Sequence, residues 1–282
     1  MALASARGTD PGQGPPLVWL GWDDYLAWLG GKKRSTVTQW GERVKLGPAL
    51  APGKHGALIA PTGEGKTTHA VGLLGLRKYV LALDPKGEDE TLSASGYYRV
   101  RSIYQGGMRW RMAHREDART WDAIHDAIDG GRPARVIVGG GASTDEQDRA
   151  LQQLMRESIV YCRHSGGWTL YVDEFELLSS QRMFDLGPAI ERMLITARHA
   201  KTSVITSYQA QAWVSTHAHR QASQVTMWQT GSRAMIKNIA EGMGHDWRHL
   251  AAAIDQLPKW HSLTIPRGRH DPMVITRAPR VN

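Results

Sequence analysis

Gly56-Ala-Leu-Ile-Ala-Pro-Thr-Gly-Glu-Gly-Lys66-Thr67-Thr68 is the stretch from which the rest of this chain is read. A short apolar run over 57–60 enters a turn with glycines at 63 and 65, and a segment of helical spacing leaves it. That order is what a phosphate-binding loop requires. Gly63 and Gly65 let successive backbone N–H groups turn inward, and the new helix offers its N-terminus to negative charge. In such a loop Lys66 reaches the β- and γ-phosphates and Thr67 binds Mg²⁺, so Thr62, Gly63, Glu64, Gly65, Lys66, Thr67 and Thr68 form the expected ATP cradle. The first glycine of the usual GxxxxGK[ST] pattern is replaced by Ala60, which matters little if the strand end has ordinary dihedrals.

Strand, turn and helix in that order imply an α/β fold, and the pattern continues downstream. Apolar runs at 79–83, 98–103, 135–138, 169–172, 203–206 and 225–229 read as strands of a mainly parallel sheet with helices on both faces. Helices are expected from the Ser143/Glu146 capping spacing to about 163, from Gly187-Pro188 to about 199, and over 232–242. The runs 260–265 and 272–277, joined by Pro-Arg-Gly-Arg, predict a C-terminal β-hairpin. Ahead of the loop, residues 1–16 read as a flexible tail. Residues 17–53 read as a small accessory segment, with helical spacing over 17–28, and 54–282 as the main domain.

The composition narrows the class. Of 282 residues, 41% are hydrophobic and 22% charged, and no apolar run approaches the roughly 20 residues of a membrane helix. A cytoplasmic protein with no membrane span is the expectation. The net charge of +8 suits a polyanionic partner, although solvated Lys and Arg would give the same number. Cys162 is the sole cysteine, so neither an internal disulfide nor a cysteine metal site can form. The pair His245 and His249 stands as HDWRH rather than HExxH, which argues against zinc.

An acid at the tip of a second buried strand would complete the phosphate site. Trp168-Thr-Leu-Tyr-Val-Asp173-Glu174 supplies two. Asp173 is expected in the Mg²⁺ shell, and Glu174 as the group that orients and deprotonates the attacking water. A capping Asp beside a solvated Glu is the alternative when the pair is taken alone.

Further segments follow in order: Asp84-Pro85-Lys86-Gly87-Glu88 after the loop helix, and Ser203-Val-Ile-Thr-Ser-Tyr-Gln209 after the acidic strand. With the loop and the D-E strand, these resemble the FtsK/HerA superfamily of DNA-pumping P-loop ATPases over about residues 54–280. The resemblance implies a RecA-like fold and makes Gln209 a sensor of the γ-phosphate at the end of the strand beside the acidic one. It departs from the superfamily at Ser207-Tyr208, where a threonine is frequent. It also implies a homo-oligomeric ring, hexamer or pentamer, threading DNA, double-stranded in the first instance. Arg233 in Gly-Ser-Arg233 becomes the favoured cation acting across subunits, with Arg198 the other candidate. Candidate DNA-facing loops are 101–119, where arginines interleave with Tyr104 and Trp110, and 216–220. The length leaves no room for the anchors, barrel or nuclease that other superfamily branches carry, so the resemblance is greatest to stand-alone viral genome-packaging ATPases. A capsid or membrane portal component would then be a further partner, and the location the host cytoplasm or the virion. Plasmid or chromosomal DNA transfer comes second, and a nucleotide-dependent assembly ATPase acting on protein is the reading from a different class.

Overall fold

The computed structural model describes residues 17–30, 34–37, 43–46, 50–87, 90–93, 98–100, 102–103, 111–112, 134–139, 145–209, 216–268 and 272–279. The strands are β1 (Leu17–Trp19), β2 (Arg34–Val37), β3 (Arg43–Leu46), β4 (Gly56–Ile59), β5 (Tyr79–Asp84), β6 (Tyr98–Val100) and β7 (Ser102–Ile103). They continue with β8 (Arg111–Met112), β9 (Ala134–Gly139), β10 (Thr169–Val172), β11 (Ser203–Tyr208), β12 (Gln224–Met227), β13 (His261–Pro266) and β14 (Met273–Arg277). Ten of them form one sheet in the order β1-β14-β13-β12-β4-β11-β10-β5-β9-β6. The run from β12 through β6 is parallel, and β13 and β14 close that side as an antiparallel hairpin.

Every residue of β4, β10, β11 and β12 is buried, as strands covered on both faces must be. Their side chains alternate between two cores. Ala57, Ile59, Leu81, Leu170, Val172 and Val204 face a core shared with helices Asp145–Ser165, Gly187–Thr196, Arg233–Met243 and Trp247–Asp255. Leu58, Ala60, Val80, Ala82, Tyr171 and Ile205 face the other, shared with helices Trp22–Leu29 and Lys66–Gly75. The long helix buries Leu151, Met155, Ile159 and Cys162 along one stripe, each large apolar side chain contributing about 1.5–3 kcal/mol.

Three expectations change. The stretch 17–28 is not one helix: Leu17–Trp19 is a strand parallel to β14, and the helix begins only after Gly21. A three-residue apolar strand next to an amphipathic helix reads as one continuous pattern in the sequence. The stretch 98–103 divides, with β6 on the edge of the main sheet and β7 pairing with β8 in a sheet of two strands. Finally, 216–220 is helical, Thr216–Gln221, rather than a loop. The tail 1–16 and most of 101–119, with the side chains of Arg109 and Arg111, lie outside the described residues, as does Ser143 of the expected cap.

The N-terminal helix is clamped to the loop helix. Tyr25 Oη lies 3.0 Å from His69 Nε2 and 2.8 Å from Thr264 Oγ1, and Thr264 in turn bonds Thr226 at 3.0 Å. Trp22 stacks on Tyr25 and meets the His69 ring edge-on at 5.1 Å, against Gly72. A Cβ at Gly72 would stand 2.2 Å from the Trp22 ring, which is why this helix carries glycine there.

Candidate nucleotide site

The phosphate loop joins β4 to helix Lys66–Gly75. Gly63 has φ 83° and Gly65, the helix N-cap, φ 84°; a Cβ at either would meet nothing within 4 Å among the described residues, so dihedral angle and not space demands glycine. Among the described residues no side chain caps the helix, which leaves its first N–H groups directed at the loop. Lys66 Nζ donates to the Tyr208 carbonyl at 2.9 Å. Burial lowers the pKa of Lys66, while Asp173, Glu176 and Glu174 nearby oppose that shift.

The acids come from two strands away. β4 and β10 are both neighbours of β11, so the strand ending at Gln209 runs between the loop and the acidic pair. Asp173 is buried, takes the Tyr171 hydroxyl at 2.9 Å on Oδ1, and donates its N–H to the Leu83 carbonyl. Glu174 leaves the strand in the left-handed region, φ 47°, at the start of helix Phe175–Ser179. A non-glycine residue there is strained, and such strain is concentrated at functional sites. Its Oε1 accepts from Lys86 Nζ at 2.6 Å and from Gln209 Nε2 at 3.2 Å. Lys86 is held out by the turn after β5, where Asp84 Oδ1 accepts the Gly87 N–H at 2.9 Å. The bond to Glu174 pushes the Lys86 pKa up.

These groups border one cavity of about 730 Å³, lined by all of residues 62–68 together with Asp84, Lys86, Asp173, Glu174 and Gln209. The sequence-derived cradle, acids and glutamine are therefore brought together. Arg233 is not among the lining residues: it starts its own helix and pairs with Asp255 of the same chain at 2.6 Å, half exposed. Arg198 donates to the Gln221 carbonyl at 2.8 Å. His245 bonds the Pro266 carbonyl at 2.8 Å, a structural contact. Among the described residues no group of three or more His, Cys, Asp and Glu could hold a metal. Magnesium in a phosphate site does not need one, since one or two protein oxygens complete a shell of phosphates and water.

Two residues here were not singled out in the sequence. Lys86 appeared only within its motif, yet it makes the shortest contact to Glu174. Glu176 has a buried Oε1 with no hydrogen-bond partner among the described residues, and burial raises its pKa. Its place two residues past Glu174 was the only available signal, and a short helix conceals which way such a residue turns.

No protein-family model matches the sequence, and no curated protein does. Solved structures match throughout. The genome packaging NTPase B204 of Sulfolobus turreted icosahedral virus 2, in complex with sulfate, is 16% identical with a TM-score of 0.53, over 83% of this chain and 100% of that one. VirB4 of Thermoanaerobacter pseudethanolicus is 12% identical with a TM-score of 0.56, over 98% of both chains. The chain has the RecA-like P-loop ATPase fold. The bacterial conjugative coupling protein TrwBdeltaN70 shares it at 12% identity and a TM-score of 0.52, over 96% of this chain and 94% of that one. B204 has also been solved with AMP, AMPPCP and ATP-gammaS. In this fold, among the described residues, no helix is long and apolar enough to cross a membrane.

Proposed function

We propose that this protein is an ATPase of the FtsK/HerA type that moves DNA, with genome packaging as the first role and plasmid or chromosomal transfer as the second. One observation carries the enzymatic part. Three neighbouring strand ends put a P-loop lysine, a glutamine and two carboxylates around a single cavity, with the glutamine bonded to one carboxylate.

Within that reading, the loop N–H groups and Lys66 bind and neutralise the β- and γ-phosphates. Thr67 and Asp173 present the hydroxyl and carboxylate oxygens that suit Mg²⁺, which when bound neutralises phosphate charge. Glu174 accepts a proton from the attacking water as its oxygen bonds to the γ-phosphorus. The bond from that phosphorus to the β–γ bridging oxygen breaks, giving ADP and phosphate. Gln209 touches Glu174 through its amide, so it can sense whether that carboxylate is engaged. The DNA part is supported by the +8 charge and by likeness to a packaging NTPase and a conjugative coupling protein. A ring of subunits, with Arg233 offered to a neighbour once it leaves Asp255, belongs to the same reading, and so does a capsid or portal partner.

The test is ATP turnover with and without double-stranded DNA, for wild type and Lys66→Ala. Hydrolysis that DNA stimulates and Lys66→Ala abolishes is expected. Turnover indifferent to DNA but raised by a protein partner would favour an assembly ATPase, and full activity in Lys66→Ala would dismiss the loop.

A further inference from the structure

The cavity has an end that phosphate chemistry does not use. On one side of β4 lie β11, β10 and β5, which bring Gln209, Glu174 and Lys86. On the other side lie β12, β13 and β14, and there the wall is apolar: Trp228 just after β12, Trp260 just before β13, Ala278 and Pro279 just after β14. The hairpin register pairs His261 with Arg277, so Trp260 and Ala278 are the next residues out at the same hairpin end. Strands spaced about 4.8 Å apart set β13 about 10 Å and β14 about 14 Å from the loop strand, the direction and reach of a ribose and base leaving bound phosphates.

Trp260 stands in an uncommon conformation. The turn Pro258-Lys259-Trp260-His261 is closed by the His261 N–H donating to the Pro258 carbonyl at 3.0 Å, and Trp260, at its third position, has φ 67°. That position with positive φ is where turns take glycine, and a bulky residue there is a genuine outlier. Lys259 Nζ lies 5.0 Å from the ring centroid. Trp228, by contrast, is buried, its ring edge-on to His69 at 5.1 Å, and lines the same apolar end. A strained, half-buried tryptophan lining the same cavity as the phosphate loop is what stacking on a planar base needs, since the indole supplies a rigid π-face.

We propose that Trp260, on the cavity wall it shares with Pro279, is the platform for the nucleotide base, so that the C-terminal hairpin distinguishes a nucleoside triphosphate from a bare polyphosphate. This rests on the P-loop reading of residues 62–68. Trp260→Gly suits the turn and removes the ring; Trp260→Phe keeps a ring. Calorimetric titration of the full chain with magnesium and either ATP-gammaS or inorganic tripolyphosphate separates the two ends of the cavity. Trp260→Gly should bind ATP-gammaS roughly tenfold or more weakly and tripolyphosphate as wild type does, while Trp260→Phe stays within a fewfold for both. The melting temperature of Trp260→Gly should not fall far, because glycine relieves the backbone. Unchanged ATP-gammaS affinity in Trp260→Gly, or equal weakening of both ligands, overturns the platform. A wild type that binds both ligands equally leaves the loop intact and removes the platform, whereas one that binds neither removes the loop reading as well.

Discussion

Acid should destabilise this protein through two histidines before its carboxylates titrate. His55 and His69 are fully buried. His55 Nδ1 accepts the Val204 N–H at 3.0 Å, so that nitrogen must be unprotonated, and burial, with the nearby Arg198 charge, lowers its pKa to about 4. Burial alone lowers that of His69 to about 3. Both folded values lie below the ordinary 6.5, so the unfolded chain binds protons first as pH falls, and stability is full above about pH 7 and lost downward from there. At pH 5 both folded histidines are still neutral while their unfolded counterparts are about 97% charged, which costs about 2 kcal/mol each relative to neutral pH. Together that is about 4 kcal/mol, a large share of a typical domain's 5–15. Urea unfolding at pH 7.5 and pH 5 measures it, and His55→Gln should remove about half of the difference. A pH dependence unchanged in His55→Gln would refute the reasoning for that residue.

Gly139→Ala would set a Cβ 2.0 Å from the Asp84 carbonyl oxygen, so β5 and β9 must part where Asp84 and Lys86 are held; a loss of about 1–3 kcal/mol or more and weaker ATP binding are expected by urea unfolding and calorimetry. Gly72→Ala should cost a similar amount by displacing Trp22, but act on stability alone. Lys86→Met frees Glu174 from a pair whose lysine is half exposed and worth under about 1 kcal/mol, so basal turnover should rise by no more than about fivefold; a steep fall would mean that Lys86 serves the phosphates instead. Arg233→Ala subunits mixed with Lys66→Ala subunits should regain turnover if Arg233 acts on a neighbour's nucleotide, and mixed rings without recovery would restrict it to its pair with Asp255.

The parallel strands were legible because burial on both faces forces uninterrupted apolar runs, and 169–172 matches β10 to the residue. The hairpin was legible from turn chemistry. The edge strand β1 was not, because its partner β14 lies more than 250 residues along the chain and nothing local distinguishes three apolar residues in a strand from a turn of helix. Helix Trp247–Asp255 is hidden for a related reason: the spacing of His245 and His249 dominates its local pattern, whereas its N-cap is Asp246 and its buried face is Leu250, Ala251 and Ile254. In the site, the motif residues fall around one cavity because strand ends converge in this fold. Side-chain contacts such as Lys86 to Glu174, and the left-handed backbone of Glu174 and Trp260, depend on neighbours that no local pattern reveals.

The place of β4 in the sheet also sets when a nucleotide site can exist during synthesis. Its two neighbours are β11 and β12, and the Thr206 hydroxyl that bonds the Gly56 carbonyl lies 150 residues downstream. A nascent chain that has emerged only through β10 carries the loop, the lysine and both acids, but no strand to lay them side by side. Such distant pairings close late and slowly, because the entropy of a long loop is lost before the contact forms. On the proposed reading, ATP capture would be among the last properties the emerging chain acquires, with nucleotide binding by ribosome-bound fragments expected only once β12 has cleared the exit tunnel.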